Sequence, residues 1–371
     1  MEDLIELTKK FCSAAIEPHV MEWEERKWFP NSVFDKLSKA GFLGLIIPEK
    51  YGGLGLEKEQ VLRWLETFGE IPCMGFTVGV AMSSIVCAKA IMEHGTDEQR
   101  ALYLPKIASG EIICAYAFTE PQSGTDLRAI RTSGQKTDNG FILNGQKTFI
   151  TNGARANLIL VFGKCEGTYN IFLTKGDTVF VESKLDKLGW HSSDTCILTF
   201  RDTPAELLGQ NLGQGLQYVQ ESLSFERLVL SAIGIGLTRR ALKDLQPFAS
   251  TRIIKGRPLS SYPLFKKFIK KAVSQLWLFS YFLHHAASKD NFEFSTVLKS
   301  YVSDKLCEIA DQVLQFYGGY GYTKDYLIER IDRDLRLLPI GGGAREALYE
   351  SVFRRLKKRI SENRPKHDDQ F

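Results

Sequence analysis

Residues 112–151, IICAYAFTEPQSGTDLRAIRTSGQKTDNGFILNGQKTFIT, decide the fold, because the texture of the chain changes there. Ile112–Phe118 and Phe141–Thr151 are β-prone runs, and more follow at Leu158–Phe162, Tyr169–Thr174, Val179–Val181 and Cys196–Phe200. Asp138-Asn139-Gly140, Asn144-Gly145 and Lys175-Gly176-Asp177 read as tight reversals, and no helical crossover separates the runs. The spacing predicts a small antiparallel β-domain over residues 111–214.

On either side the apolar residues recur three and four apart, as on a helix face. Before the strands this period marks Leu4–Cys12, Val33–Ala40, Val61–Phe68 and Ser83–Met92, a helical domain over residues 1–110. Ser32 with Asp35 resembles a capping box, and Gly41 reads as a helix stop before the turn-rich residues 48–55. After the strands, Leu223–Phe248, Tyr262–Ser288, Ser295–Phe316 and Ala344–Ile360 predict a four-helix bundle over residues 215–371. The basic Arg354–Arg359 segment alternates with apolar residues, as on a solvated helix face, and the last eight residues read as frayed. The fold class is therefore α+β, with helical, β and helical domains in chain order.

Composition removes several functions. A net charge of +4 over 371 residues gives no footprint for nucleic acid. Seven cysteines lack any C-x-x-C pair, and neither a secretory leader nor an uninterrupted apolar run of membrane-spanning length stands out, so a cytoplasmic protein is expected. The six histidines show no metal-ligand spacing, and no metal is expected. His191 lies in a polar loop and could meet a substrate or be plain surface. Gly318-Gly319-Tyr320-Gly321 follows a helix, not a strand, so it is no dinucleotide fingerprint. Glu226 falls on the apolar stripe Leu223, Leu230, Ile233 and Leu237: burial there would make it a base, whereas pairing with Arg227 would make it structural.

CAYAFTEPQSGTD at 114–126 and NGQKTFITNG at 144–153 together resemble the paired central motifs of the acyl-CoA dehydrogenase family. GLIIPEKYGGLG at 44–55, ERLVL at 226–230, QFYGGYGYT at 315–323 and ERIDRD at 329–334 extend the likeness over nearly the whole chain. The resemblance implies FAD, with Phe118, Thr119, Phe149 and Thr151 around the isoalloxazine and Thr125 facing flavin or pantetheine. It implies that Arg252 reaches the FAD pyrophosphate of a neighbouring subunit, and that Gln315, Gly318 and Gly319 receive the adenylate part. A homodimer or a dimer of dimers follows. It further implies α,β-dehydrogenation of an acyl thioester, on coenzyme A or an acyl carrier protein, with either an electron-transfer flavoprotein or oxygen as the electron acceptor.

The chain departs from the family pattern at two places. Lys255 stands where an aromatic residue is usual, and Gly342, in IGGGARE at 340–346, stands at the usual position of the catalytic glutamate. Glu226-Arg227-Leu228 instead resembles the isovaleryl and long-chain branches, which carry the base on an earlier helix. This implies Glu226 as the base and Gly342 as an N–H donor to the thioester oxygen, with Glu346 the rival carboxylate. The alternatives are a related flavin oxidase and a non-enzymatic interaction protein.

Overall fold

The computed structural model describes residues 1–289 and 292–362, so the expected fraying of the last eight residues lies outside the described residues. The N-terminal helices are α1 (Glu2–Ala15), α2 (Val20–Glu25), α3 (Ser32–Lys39), α4 (Lys58–Phe68), α5 (Met74–Ala81), α6 (Ala88–His94) and α7 (Asp97–Ala108), with a π-helical segment at Met82–Cys87 joining α5 to α6. Met74–His94 is thus one 21-residue run, apolar and long enough to cross a membrane, yet 94% of its most apolar window is buried inside the protein. It is a core helix. The sequence reading saw only its second half, because residues apolar on every side carry no one-sided period.

Ser32 does not cap α3: it is the first helical residue, and Asn31 precedes it without a side-chain cap. Pro30 and Asn31 have already turned the chain, so Ser32 has no free N–H group left to meet. The capping boxes stand elsewhere, at Glu57 with Gln60 on α4 and at Thr96 with Gln99 on α7.

The strands are β1 (Cys114–Ala117), β2 (Ser133–Thr137), β3 (Gly140–Ile150), β4 (Leu158–Cys165), β5 (Thr168–Lys175), β6 (Phe180–Lys184) and β7 (Cys196–Leu207). β2 pairs β3, β3 pairs β7, β7 pairs β5, β5 pairs β4, and β4 returns to β2, so five strands close a small barrel. β6 extends it from β7. The sheet is mixed rather than purely antiparallel, because β1 runs parallel to β4, from Cys114 opposite Leu158 to Ala117 opposite Val161. Asp138-Asn139 turns β2 into β3 as expected, but Asn144-Gly145 is no reversal. It is a bulge inside β3, where Gly145 has φ +148° and a side chain would meet Thr132 Oγ1 at 2.6 Å.

After the barrel come α8 (Gly215–Thr251), a two-stranded hairpin β8 (Ile253–Ile254) and β9 (Arg257–Pro258), then α9 (Pro263–Lys289), α10 (Phe292–Tyr317), α11 (Ile328–Leu335) and α12 (Arg345–Glu362). One apolar core runs from the N-terminal helices into α8 and α10, and a second fills the barrel. α8 passes close to α4: a side chain on Gly236 would lie 2.1 Å from the Glu66 carbonyl. That approach fixes the helix that carries Glu226.

Candidate active site

The two motif segments lie side by side. Thr148 N–H donates to Thr119 O at 2.9 Å, and the Thr119 hydroxyl donates back to Thr148 O. Beneath them Lys147, fully buried, donates to Phe118 O at 2.9 Å and to Glu120 Oε1 at 2.8 Å. Glu120 also accepts from Arg131 and Thr132 N–H at 2.6 and 2.9 Å. Lys147 and the two N–H groups hold the Glu120 carboxyl down at about 2 even against burial, whereas burial pulls Lys147 down to about 8 and Glu120 offsets only part of that. The pair is charged at neutral pH. Sequence reasoning missed it; the only signal was a lysine inside a strand pattern.

A second bulge in β3 lies between Lys147 and Ile150. Within it Phe149 takes φ +61° and points outward, 68% exposed. An aromatic ring held out of the core on a left-handed backbone is strained by ~1–3 kcal/mol, and it offers a flat apolar face to a ligand. Thr151 is half-buried in the following turn, which Asn152 pins by donating to Gly79 O at 2.8 Å and Cys114 O at 3.0 Å. Phe118 is buried beneath Tyr116, ring centroids 3.9 Å apart. Thr125 is exposed, and the local Asx turn is made by Asp126, which accepts from Arg128 N–H at 3.1 Å.

Glu226 is partly buried on α8 with Leu230, Ile233 and Leu237 below it. Burial raises its carboxyl to about 7, against a smaller lowering by Arg227 and Lys299. Among the described residues it makes no hydrogen bond or ion pair. Arg227 donates instead to Gly342 O at 3.1 Å and Thr296 Oγ1 at 2.9 Å, so the structural reading of Glu226 as its ion-pair partner fails. Gly342 has φ +67°, and its N–H donates to no group among the described residues. Glu346 is exposed and paired with Arg345 at 2.7 Å, which lowers its carboxyl.

Arg252 caps the far end of α8, exposed, with its guanidinium 5.8 Å from the Tyr320 ring centroid. Gln315, Gly318 and Gly319 are exposed, the two glycines opening the turn that carries Tyr320. Lys255 occupies, with Gly256, the two-residue turn of the β8–β9 hairpin, both at positive φ. A cavity of about 500 Å³ opens nearby, lined by Arg240, Asp244, Phe248, Tyr317, Tyr326 and Ile331. It is some 30 Å along α8 from Glu226 at ~1.5 Å per residue, too far to hold the group Glu226 would act on.

His191 is engaged, its Nε2 lying 2.8 Å from Lys187 O and 3.3 Å from Arg333 Nη1. Glu93, His94 and Glu221, spread over 129 positions, converge so that one ligand atom of each lies within 4.8 Å of the others. Lys89 pairs with Glu93, and His94 Nε2 lies 3.2 Å from Glu221, with burial lowering the imidazole below its ordinary value.

Residues 1–111, 115–203 and 213–357 match the N-terminal, middle and C-terminal domain families of acyl-CoA dehydrogenase. An acyl-CoA dehydrogenase of Bacillus subtilis is 31% identical over 357 residues, covering 92% of this chain and 93% of the relative. The chain belongs to the acyl-CoA dehydrogenase family. A mitochondrial isovaleryl-CoA dehydrogenase of Solanum tuberosum is also 31% identical, covering 95% of this chain and 89% of that protein. The butyryl-CoA dehydrogenase structure of Megasphaera elsdenii superposes with a TM-score of 0.91 at 26% identity, covering 96% of this chain and 97% of that one. This acyl-CoA dehydrogenase family member is an FAD-dependent oxidoreductase. The outward Phe149 fits a flavin, to which it offers a flat apolar face.

Proposed function

We propose that the protein removes the α-proton and β-hydride of an acyl thioester, with Glu226 as the base, giving a trans-2-enoyl thioester. The observation that carries this is an unpaired carboxyl on an apolar helix face, raised by burial to about 7, whose neighbour Arg227 is committed to the Gly342 loop. Near neutral pH such a group exists in both forms and can accept a carbon-bound proton. The free Gly342 N–H is the donor to the thioester carbonyl, where it stabilises negative charge as the α-proton leaves. FAD, when bound by Phe118, Thr119, Thr125, Phe149 and Thr151, supplies the acceptor for the β-hydride.

The base position follows the isovaleryl-type branch, with the acyl group on coenzyme A and an electron-transfer flavoprotein as acceptor. Seven free cysteines, six of them buried, suit a reducing cytoplasm. Assembly is part of the same reading. Arg252 lies 26 residues beyond Glu226, about 39 Å along α8, whereas only a short ribityl chain separates a flavin ring from its pyrophosphate. Arg252 and Glu226 therefore serve one FAD from two different chains, with Gln315, Gly318 and Gly319 at the adenylate end. The apolar face of α9, where Trp277 and Tyr281 are each 77% exposed, suits burial in a homodimer or tetramer.

The test is Glu226→Gln in rapid mixing with a panel of coenzyme A esters and matching carrier-loaded groups. Flavin reduction should fall on the order of 10²- to 10⁴-fold with FAD retained. Near-normal reduction in Glu226→Gln, with loss in Glu346→Gln, would end the assignment.

A further inference from the structure

Two buried cations hold the loop opposite Glu226. Arg227 of α8 takes Gly342 O at 3.1 Å, and Lys299 of α10 takes Gly343 O at 2.5 Å, although Lys299 is itself 1% exposed. Gly342 and Gly343 both sit at positive φ, +67° and +103°. A side chain on Gly342 would reach Leu230 Cδ1 at 3.3 Å and Lys299 Cε at 3.9 Å, so the loop lies directly on the lysine stem. A lysine is seldom buried unless its charge has a purpose in the structure. Here it makes no ion pair among the described residues, and the neighbouring Arg227 repels it. Its neutral hydrogen-bond partner, the Gly343 carbonyl, could be served by an uncharged donor. What requires a charge at this point is Glu226.

We propose that Lys299 is a positioning residue of the active site: its ammonium clamps the loop that presents the Gly342 N–H, and its charge keeps the Glu226 carboxyl in its proton-accepting form. This rests on Glu226 being the base. The charged and titratable groups that face Glu226 are Arg227 on its own helix, Lys299 on α10, Tyr116 on β1 and Cys87 in the π-helical segment. Tyr116 and Cys87 are buried and held neutral, so Arg227 and Lys299 are the cations that oppose the burial of Glu226. Lys299 in turn feels Arg227, Glu226, Asp304 and Glu346, and it is drawn down to about 8 by burial first, so it carries its proton at pH 7. Arg227 is already committed to the loop carbonyl and Thr296 and feels Arg355 of α12 as well. Lys299 is therefore the cation whose removal separates charge from scaffold.

Three substitutions divide its two duties. Lys299→Gln keeps a donor for Gly343 O but no charge, Lys299→Met keeps neither, and Lys299→Arg keeps both. The readout is the infrared band of the protonated Glu226 carboxyl in oxidised, substrate-free holoenzyme, identified by its loss in Glu226→Gln. Loss of a nearby cation raises a carboxyl, so the titration midpoint should rise by on the order of one pH unit in Lys299→Gln and Lys299→Met and stay in place in Lys299→Arg. The acid limb of flavin reduction should move by the same amount in Lys299→Gln, with the plateau rate recovered at higher pH. Lys299→Met should also raise KM, because the loop is no longer clamped. An unmoved midpoint in both uncharged variants overturns the proposal. If the midpoint moves while Glu226→Gln reduces flavin normally, the base assignment has failed and the electrostatic one stands.

Discussion

Lys147→Met would remove the ammonium from beneath the two motif segments while keeping most of the stem's packing. Glu120 would retain the Arg131 and Thr132 N–H groups but lose its one cation among the described residues, and Phe118 O would lose its Lys147 donor. Breaking a fully buried pair by removing one partner costs about 3–5 kcal/mol, most of it from the stranded charge. Lys147→Met with Glu120→Gln strands no charge, so the double variant should recover at least half of the loss. The comparison is chemical denaturation of the holoenzyme at fixed protein and FAD concentration, since bound FAD adds to apparent stability. The difference should also depend on acid. Glu120 is held at about 2, below its ordinary value, so its stabilising contribution is present above about 4.5 and fades as pH falls toward 2. Wild type and Lys147→Met should therefore converge in strong acid. A loss under about 1 kcal/mol at pH 7, or a double variant less stable than Lys147→Met, would refute the clamp.

The rate of flavin reduction should rise with pH through a midpoint near 7, because the ionised Glu226 is the reactive form and burial has raised its carboxyl; a profile flat from pH 5.5 to 8.5 contradicts this. Phe149→Gly relieves the φ of +61° and removes the ring, so the FAD-free protein should gain about 1 kcal/mol while FAD binds about three- to tenfold more weakly; unchanged FAD affinity would mean the ring does not cover the flavin. Arg252→Ala should weaken FAD binding about ten- to a hundredfold, the worth of a charge-assisted contact, and an unaltered dissociation constant with unaltered assembly would remove Arg252 from the cofactor site.

What could be read before folding was what is local. Glu226 stood out because an acid on a three-four apolar stripe breaks the pattern, and the long helices showed their period. The failures share one cause. Asn144-Gly145 has the composition of a reversal, yet Thr132, from another strand, decides that the chain bulges and continues. β1 pairs in parallel with a strand 44 positions away, which no local pattern announces. Lys147 and Glu120 are 27 residues apart, and Lys299 lies 44 before the carbonyl it holds. Lys147 and Lys299 each carried only a weak signal, a cation inside a strand or helix pattern, whose meaning depends on what the barrel and bundle bring to it.

The length of α8 sets a test by genetic complementation. If one site draws Glu226 from one chain and Arg252 from another, Arg252→Ala and Glu226→Gln damage different sites of a mixed dimer. The chain bearing Arg252→Ala supplies an intact Glu226 and borrows an intact arginine from its partner, so that site is whole; the other site collects both lesions. At an FAD concentration that leaves the Arg252→Ala protein empty, the two variants, each inactive alone, should on refolding together in equal amounts regain about a quarter of the wild-type sites by random pairing of a two-fold assembly. Were both residues to serve the same chain's cofactor, mixing would restore nothing.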